Sequence, residues 1–105
     1  MIARTPAPPY YAVIFTSIRT EGDNDYTITA DKMVELAQLQ EGYLGIESAR
    51  NDIGITVSYW KDLEAIKQWK MQLDHTEARE KGRITWYQQF KVRISKVERD
   101  YGFEK

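Results

Sequence analysis

The 105-residue sequence has no cysteine. Disulfides, thiolate metal sites and cysteine nucleophiles are therefore excluded. It has a single histidine, His75, so no histidine pair exists at metal-binding spacing. Neither sign of charge dominates: 16 acidic residues face 15 basic ones, a net charge of −1. Without a basic block there is no electrostatic case for nucleic acid or an anionic membrane surface. The longest unbroken apolar run, Tyr10–Phe15, is six residues, far below the ~20 of a membrane-spanning helix. Met1–Pro9 lacks the apolar centre of an export signal. Phosphate-binding glycine loops and a nucleophile elbow are missing too. Proline is confined to Pro6, Pro8 and Pro9, which marks residues 1–9 as a flexible or extended leader. With 42% hydrophobic residues, residues 10–105 are expected to form one soluble, cytoplasmic domain with one modest core.

What is present reads as six elements. Tyr10–Arg19 (YYAVIFTSIR) is aromatic and β-branched, which suits a strand. Tyr10, Ala12, Ile14 and Ile18 share one parity and Tyr11, Val13 and Phe15 the other, so both its faces are expected to be buried. Glu21–Asp25 is a turn cluster whose Asp and Asn can cap a helix. Tyr26, Ala30, Met33 and Ala37 then recur at helical spacing, with a stop expected near Gly42. Tyr43–Arg50 and Ile53–Trp60 read as a hairpin around Asn51-Asp52. In its second strand Gly54, Thr56, Ser58 and Trp60 share a face, which suits either a pocket lining or a partly wetted sheet. Asp62 can cap a second helix reaching about Gly82, with Leu63, Ile66, Trp69 and Leu73 at helical spacing. Trp86–Arg99 reads as a last strand. Val97 breaks the parity of Trp86, Phe90, Val92 and Ile94, which a bulge near Ser95-Lys96 or a strand leaving its own sheet would explain.

The order β-α-β-β-α-β defines an α+β fold of the ferredoxin-like type, with a four-stranded antiparallel sheet and both helices on one face. Two helices cannot shelter both faces of the apolar first strand. An exposed apolar sheet face exceeds what a monomer tolerates, so a homodimer packed sheet to sheet is expected. RNA-binding modules share this fold, but GITVSY at Gly54–Tyr59 lacks their stacking aromatics.

The segments GYLGIESAR, GITVSYW, AIKQWK with His75 beyond it, and GRITWYQQF followed by VRISKVER resemble the antibiotic biosynthesis monooxygenase domain family, in particular its small stand-alone bacterial members. The similarity runs from about Tyr10 to Arg99. It implies a dimeric α+β barrel in which the last strand reaches toward the partner. It further implies oxidation of small aromatic or quinol-like molecules by O2 with no metal or flavin cofactor. A non-catalytic small-molecule-binding dimer is the alternative. Haem degradation, found in some relatives, fits less well. The position matching their ligand histidine falls near Arg79, and Thr16 and Ser17 replace the polar amide residue that catalytic relatives carry on the first strand.

Cofactor-free oxygenation requires an apolar pocket, a proton acceptor and donors for an oxyanion. His75, the sole imidazole, and Trp69 are the candidate catalytic residues. Half a turn separates His75 from Ile66 on an ideal helix, so it lies either on the exposed helix face or at a pocket mouth. Trp60, Trp86, Thr16, Tyr59 and Arg50 are the candidate substrate-binding residues. The tryptophans supply walls and indole donors, and an arginine holds a carboxylate or enolate. Arg93 is a second such strand arginine. Tyr59 and Tyr87 are expected to point away from Trp60 and Trp86. Asp62, Glu64, Lys67 and Lys70 read as a solvated helix face.

Overall fold

A computed structural model describes residues 1–23, 25–80 and 85–105, with the side chains of 77–80 left aside. The elements are β1 (Tyr10–Arg19), α1 (Tyr26–Gln38), β2 (Tyr43–Arg50), β3 (Gly54–Trp60), α2 (Leu63–Glu80) and β4 (Tyr87–Val97). The strands form one antiparallel sheet in the order β2-β3-β1-β4. This is the expected ferredoxin-like α+β arrangement.

Register fixes the two faces. Val13 pairs with Ser58 and Ile94, and Phe15 with Thr56 and Val92, so these side chains share the face on which both helices pack. Ile14 pairs with Val57 and Arg93, and Thr16 with Ile55 and Lys91, on the opposite face. The core lies at one end of the helix side. Trp60 is 0% exposed there, packed with Ala37, Ala65, Ile66 and Trp69. Its ring stacks on Trp69 at 5.8 Å and meets Tyr43 edge-on at 5.7 Å. On α2, Ile66, Trp69 and Leu73 carry the packing, while Leu63 is 56% exposed at the helix start.

Local chemistry sets the element ends. The Asp62 carboxylate accepts the Ala65 amide at 2.8 Å, the expected cap of α2. At α1 the cap differs from expectation. Asp25 is left-handed (φ 64°) without a side-chain cap, and Asp23 instead accepts the Thr27 hydroxyl at 2.6 Å. Helix α1 ends at Gln38, before Gly42. Gly42 turns the chain with φ 86°, and a Cβ there would lie 2.6 Å from the Ala65 Cβ. Gly42→Ala should therefore cost about 1–2 kcal/mol from the left-handed backbone alone, with more for displacing α2. The exposed Gly102, with nothing within 4 Å, should tolerate alanine within about 0.5 kcal/mol. Paired urea titrations check both. The expected terminator Gly82 lies outside the described residues.

Three further expectations change. The hairpin turn includes Ile53, which is 53% exposed. Pairing runs unbroken from Gln89 to Val97, so no bulge occurs at Ser95-Lys96. Val97 stays in the sheet opposite Tyr10, on the face away from the helices. The slip lies at the other end: Ile18 pairs with Gln89 and Arg19 with Tyr87, leaving Gln88 as the extra residue.

Residues before β1 make contacts with the sheet. The Ala3 amide donates to Glu47 at 2.9 Å, and the Thr5 hydroxyl donates to the Tyr10 hydroxyl at 3.0 Å. Tyr10 in turn donates to Asp100 in the C-terminal segment. Gly45 admits this path, since a Cβ there would lie 2.9 Å from the Ala3 Cβ. The chain's own ends thus cover the Tyr10–Ala12 end of the face away from the helices. The rest of that face, including Ile55 at 45% exposure, stays open.

One pH dependence follows. Glu47 accepts the Tyr59 hydroxyl and the Ala3 amide, and these bonds hold its carboxyl below the ordinary 4.5. A carboxyl whose value is depressed on folding stabilises the fold above its unfolded value, and that contribution is lost as pH falls through the folded one. The Glu47 carboxyl carbon, followed by NMR, should titrate below 4.5, and Glu47→Gln should flatten the acid limb of the stability curve. Titration at or above 4.5 would contradict this.

Candidate functional site

Between the helices and the sheet lies a cavity of about 660 Å³. Its floor is Val13 and Phe15 from β1 with Thr56 and Ser58 from β3. Helix α1 contributes Tyr26, Ala30, Met33, Val34 and Ala37, the stripe legible in the sequence with Val34 beside it. Helix α2 contributes Ile66, Trp69 and Leu73. Strand β4 and the residue before it contribute Trp86, Tyr87, Phe90, Val92 and Ile94. β4 is an edge strand, and Val92 and Ile94 on it are 46% and 53% exposed, so the cavity opens along that side. The lining is mostly apolar and aromatic, as small-molecule sites are.

Lys70 of α2 and Lys91 of β4 also belong to the lining, Lys70 with its ammonium on Asp74; the remaining polarity is concentrated at two points. The Ser58 hydroxyl on the floor accepts the Trp60 indole N–H at 2.9 Å. At the far end Tyr26 and Tyr87 meet edge to face at 5.8 Å and are hydrogen-bonded. Burial above all, and then the bond to Tyr26, push the Tyr87 hydroxyl well above its ordinary value of 10.0, although the Arg50 and Arg19 guanidiniums oppose the shift. Tyr87 is therefore a neutral donor at any physiological pH. Within the described lining there is no imidazole and no carboxylate. Among the described residues no group of His, Asp or Glu could hold a metal ion.

The sequence-predicted residues divide between three places. Trp69 and Trp86 line the cavity. Trp60 does not: it is fully buried beneath Trp69, its indole N–H taken by Ser58. Arg50 lies on the helix side at the end of β2, where its guanidinium donates to the Ser17 hydroxyl across the bare backbone of Gly54. Thr16 lies on the opposite sheet face, as does Arg93. Tyr59 shares that face and donates to Glu47; burial and this bond push its hydroxyl up to about 12. His75 is exposed on α2 and is not among the lining residues.

Tyr87, expected to point away from Trp86, lines the cavity with it. The slip at Gln88 reverses the parity, and Trp86 precedes β4 rather than lying in it. The sequence carries no direct sign of this slip. Arg19 was also missed, although its odd parity with Phe15 places it on the helix side.

No family model matches the chain. Among solved structures, SnoaB, a cofactor-independent oxygenase from Streptomyces nogalater, here in a mutant form, superposes with a TM-score of 0.71 at 8% identity over 87% of this chain and 95% of that one. PA3566 from Pseudomonas aeruginosa gives 0.66 at 15% identity, over 91% and 99% of the two chains. A Bordetella bronchiseptica protein provisionally named an antibiotic biosynthesis monooxygenase gives 0.65 at 14%, over 84% and 96%. The fold is thus that of the antibiotic biosynthesis monooxygenase-type proteins. In sequence the chain is 49% identical to the uncharacterized protein YqjZ of Bacillus subtilis over 98% of its own length and 92% of the relative's. It belongs to the same family as YqjZ.

Proposed function

We propose that the cavity takes up a small, flat, electron-rich molecule of the quinol or anthrone type and that O2 oxidises it there without a metal or flavin. The carrying observation is the cavity itself: about 660 Å³ walled by Trp69, Trp86, Phe15 and Phe90, with hydroxyl donors at one end. For an anthrone the balance is simple. The CH2 carbon becomes a carbonyl with one oxygen atom of O2, and its two hydrogens leave with the other as water. The substrate supplies all the electrons. The protein has to favour the substrate anion, and the hydrogen-bonded Tyr26–Tyr87 pair keeps one O–H to donate to that oxyanion. The proton leaves toward solvent along the open β4 side. His75, outside the lining, has no part in this proposal.

A described lining whose ionisable groups are lysines and tyrosines, with no imidazole or carboxylate, favours a second reading, a protein that binds such a molecule without turning it over. An oxygen electrode separates the two. Oxidation predicts saturable O2 uptake with anthrone or a naphthalene diol, above autoxidation, that disappears when Ala30→Trp fills the cavity. Uptake at background with both compounds, despite their binding, would leave the second reading.

The open part of the sheet (Ile14, Thr16, Ile18, Ile55, Val57) is proposed to meet the same face of a second copy, in a cytoplasmic homodimer. Its apolar side chains support this. No helix among the described residues is long and apolar enough to cross a membrane.

A further inference from the structure

Two arginines from different strands stand behind the polar end of the cavity, next to its lining residues Tyr26, Trp86 and Tyr87 and not among them. The Arg19 guanidinium lies 3.4 Å from the centre of the Tyr26 ring, and it donates to the carbonyls of Trp86 at 3.0 Å and Gly22 at 3.1 Å. Arg50 comes from β2, the opposite edge strand, on the same helix-side face. It spans Gly54, where a side chain would clash with it, and reaches Ser17, which is 1% exposed. Ser17 pairs with Phe90, whose ring lies 6.0 Å from that of Tyr87. Tyr26 and Tyr87 are both lining residues, and Tyr87 feels the positive charge of both guanidiniums.

Among the described residues neither arginine pairs with a carboxylate; the ion pairs there are Lys61–Glu41 and Lys70–Asp74. Every oxygen named above that accepts from Arg19 or Arg50 is a carbonyl or hydroxyl oxygen, so none of them cancels charge. A guanidinium offers five N–H donors in a fork suited to a carboxylate, and these bonds leave some unspent. Two like charges beside one cavity end repel each other, and an anion between them removes that cost.

We infer that the ligand of this cavity carries an anionic oxygen group, a carboxylate or an ionised enol, seated at the Arg19–Arg50 end with its rings along Trp69 and Trp86. This rests on the reading of the cavity as a site for small aromatic molecules. It adds that the preferred molecule is an aromatic acid rather than a neutral arene. Arg50 supplies the more accessible charge and Arg19 the inner one.

The test uses two probes of one ring system, anthracene carboxylate and its neutral hydroxymethyl counterpart, with binding read by quenching of tryptophan fluorescence at neutral pH and low salt. The carboxylate should bind at least about tenfold tighter. Arg50→Gln should reduce that preference about tenfold and leave the neutral probe within about twofold, while Arg50→Lys should keep much of it. Arg19→Gln should act in the same direction. Equal affinity for the two probes, a preference unchanged in both glutamine variants, or no binding of either probe would overturn the inference. Oxygen uptake does not enter these readings. Loss of the oxidation reading would leave the anion assignment standing, and tight binding of the neutral probe alone would do the reverse.

Discussion

Trp60→Ala is expected to lower stability by about 3–5 kcal/mol, the range for emptying a buried tryptophan position. Such a loss is comparable to the whole stability of a small domain, about 5–15 kcal/mol. The reason lies in what Trp60 supports. It is 0% exposed, it stacks on Trp69 and it donates to Ser58. Alanine would remove the surface beneath Trp69, strip the Ser58 hydroxyl of its donor and enlarge the adjoining cavity. In urea the midpoint should fall by about 2–3 M at a slope of about 1.5 kcal/mol/M. Trp60→Phe should recover much of the loss, because an aromatic body still fills the site. Leu39→Ala, at a position 80% exposed, should stay within about 0.5 kcal/mol. A midpoint shift below about 0.5 M for Trp60→Ala would contradict the placement of the core.

Ile55→Asp should break the proposed dimer. Ile55 pairs with Thr16 on the sheet face away from the helices and is 45% exposed in the single chain. In a face-to-face dimer it would become buried, and an unpaired carboxylate there would cost about 3–5 kcal/mol. That corresponds to a loss of roughly a hundredfold to several-thousandfold in affinity. By sedimentation equilibrium at micromolar concentration the native chain should show twice its 12.3 kDa mass, and the variant the mass of one chain. The cavity lies on the other side of the sheet, so the variant should still bind an aromatic probe. A native chain that stays monomeric would contradict the assembly.

Much of the frame was legible because it follows from periodicity. The two parities of Tyr10–Ile18 mark a strand apolar on both faces. Tyr26, Ala30, Met33 and Ala37 mark the helical stripe that now lines the cavity. The alternation of Thr56 and Ser58 with Ile55 and Val57 marks which face is small and polar. The site was less legible because it depends on events without periodicity. One extra residue at Gln88 turns Tyr87 inward. A missing side chain at Gly54 lets Arg50 cross to Ser17. Three tryptophans look alike in a sequence, yet Trp60 is a support while Trp69 and Trp86 are walls. The leader was read as proline-rich chain, but Glu47 and Tyr10 anchor it on the sheet, a long-range contact that local pattern does not encode.

The claim on which the account depends is that small aromatic molecules enter between the helices and the sheet. The three indole N–H resonances of a nitrogen-labelled sample report on it directly. On titration with a naphthalene diol, the signals of Trp69 and Trp86 should move with one common saturation curve, and the methyl signals of Ile14 and Ile55 on the far face should stay still. Shifts confined to Ile14 and Ile55, with the Trp69 and Trp86 indoles unmoved, would contradict it.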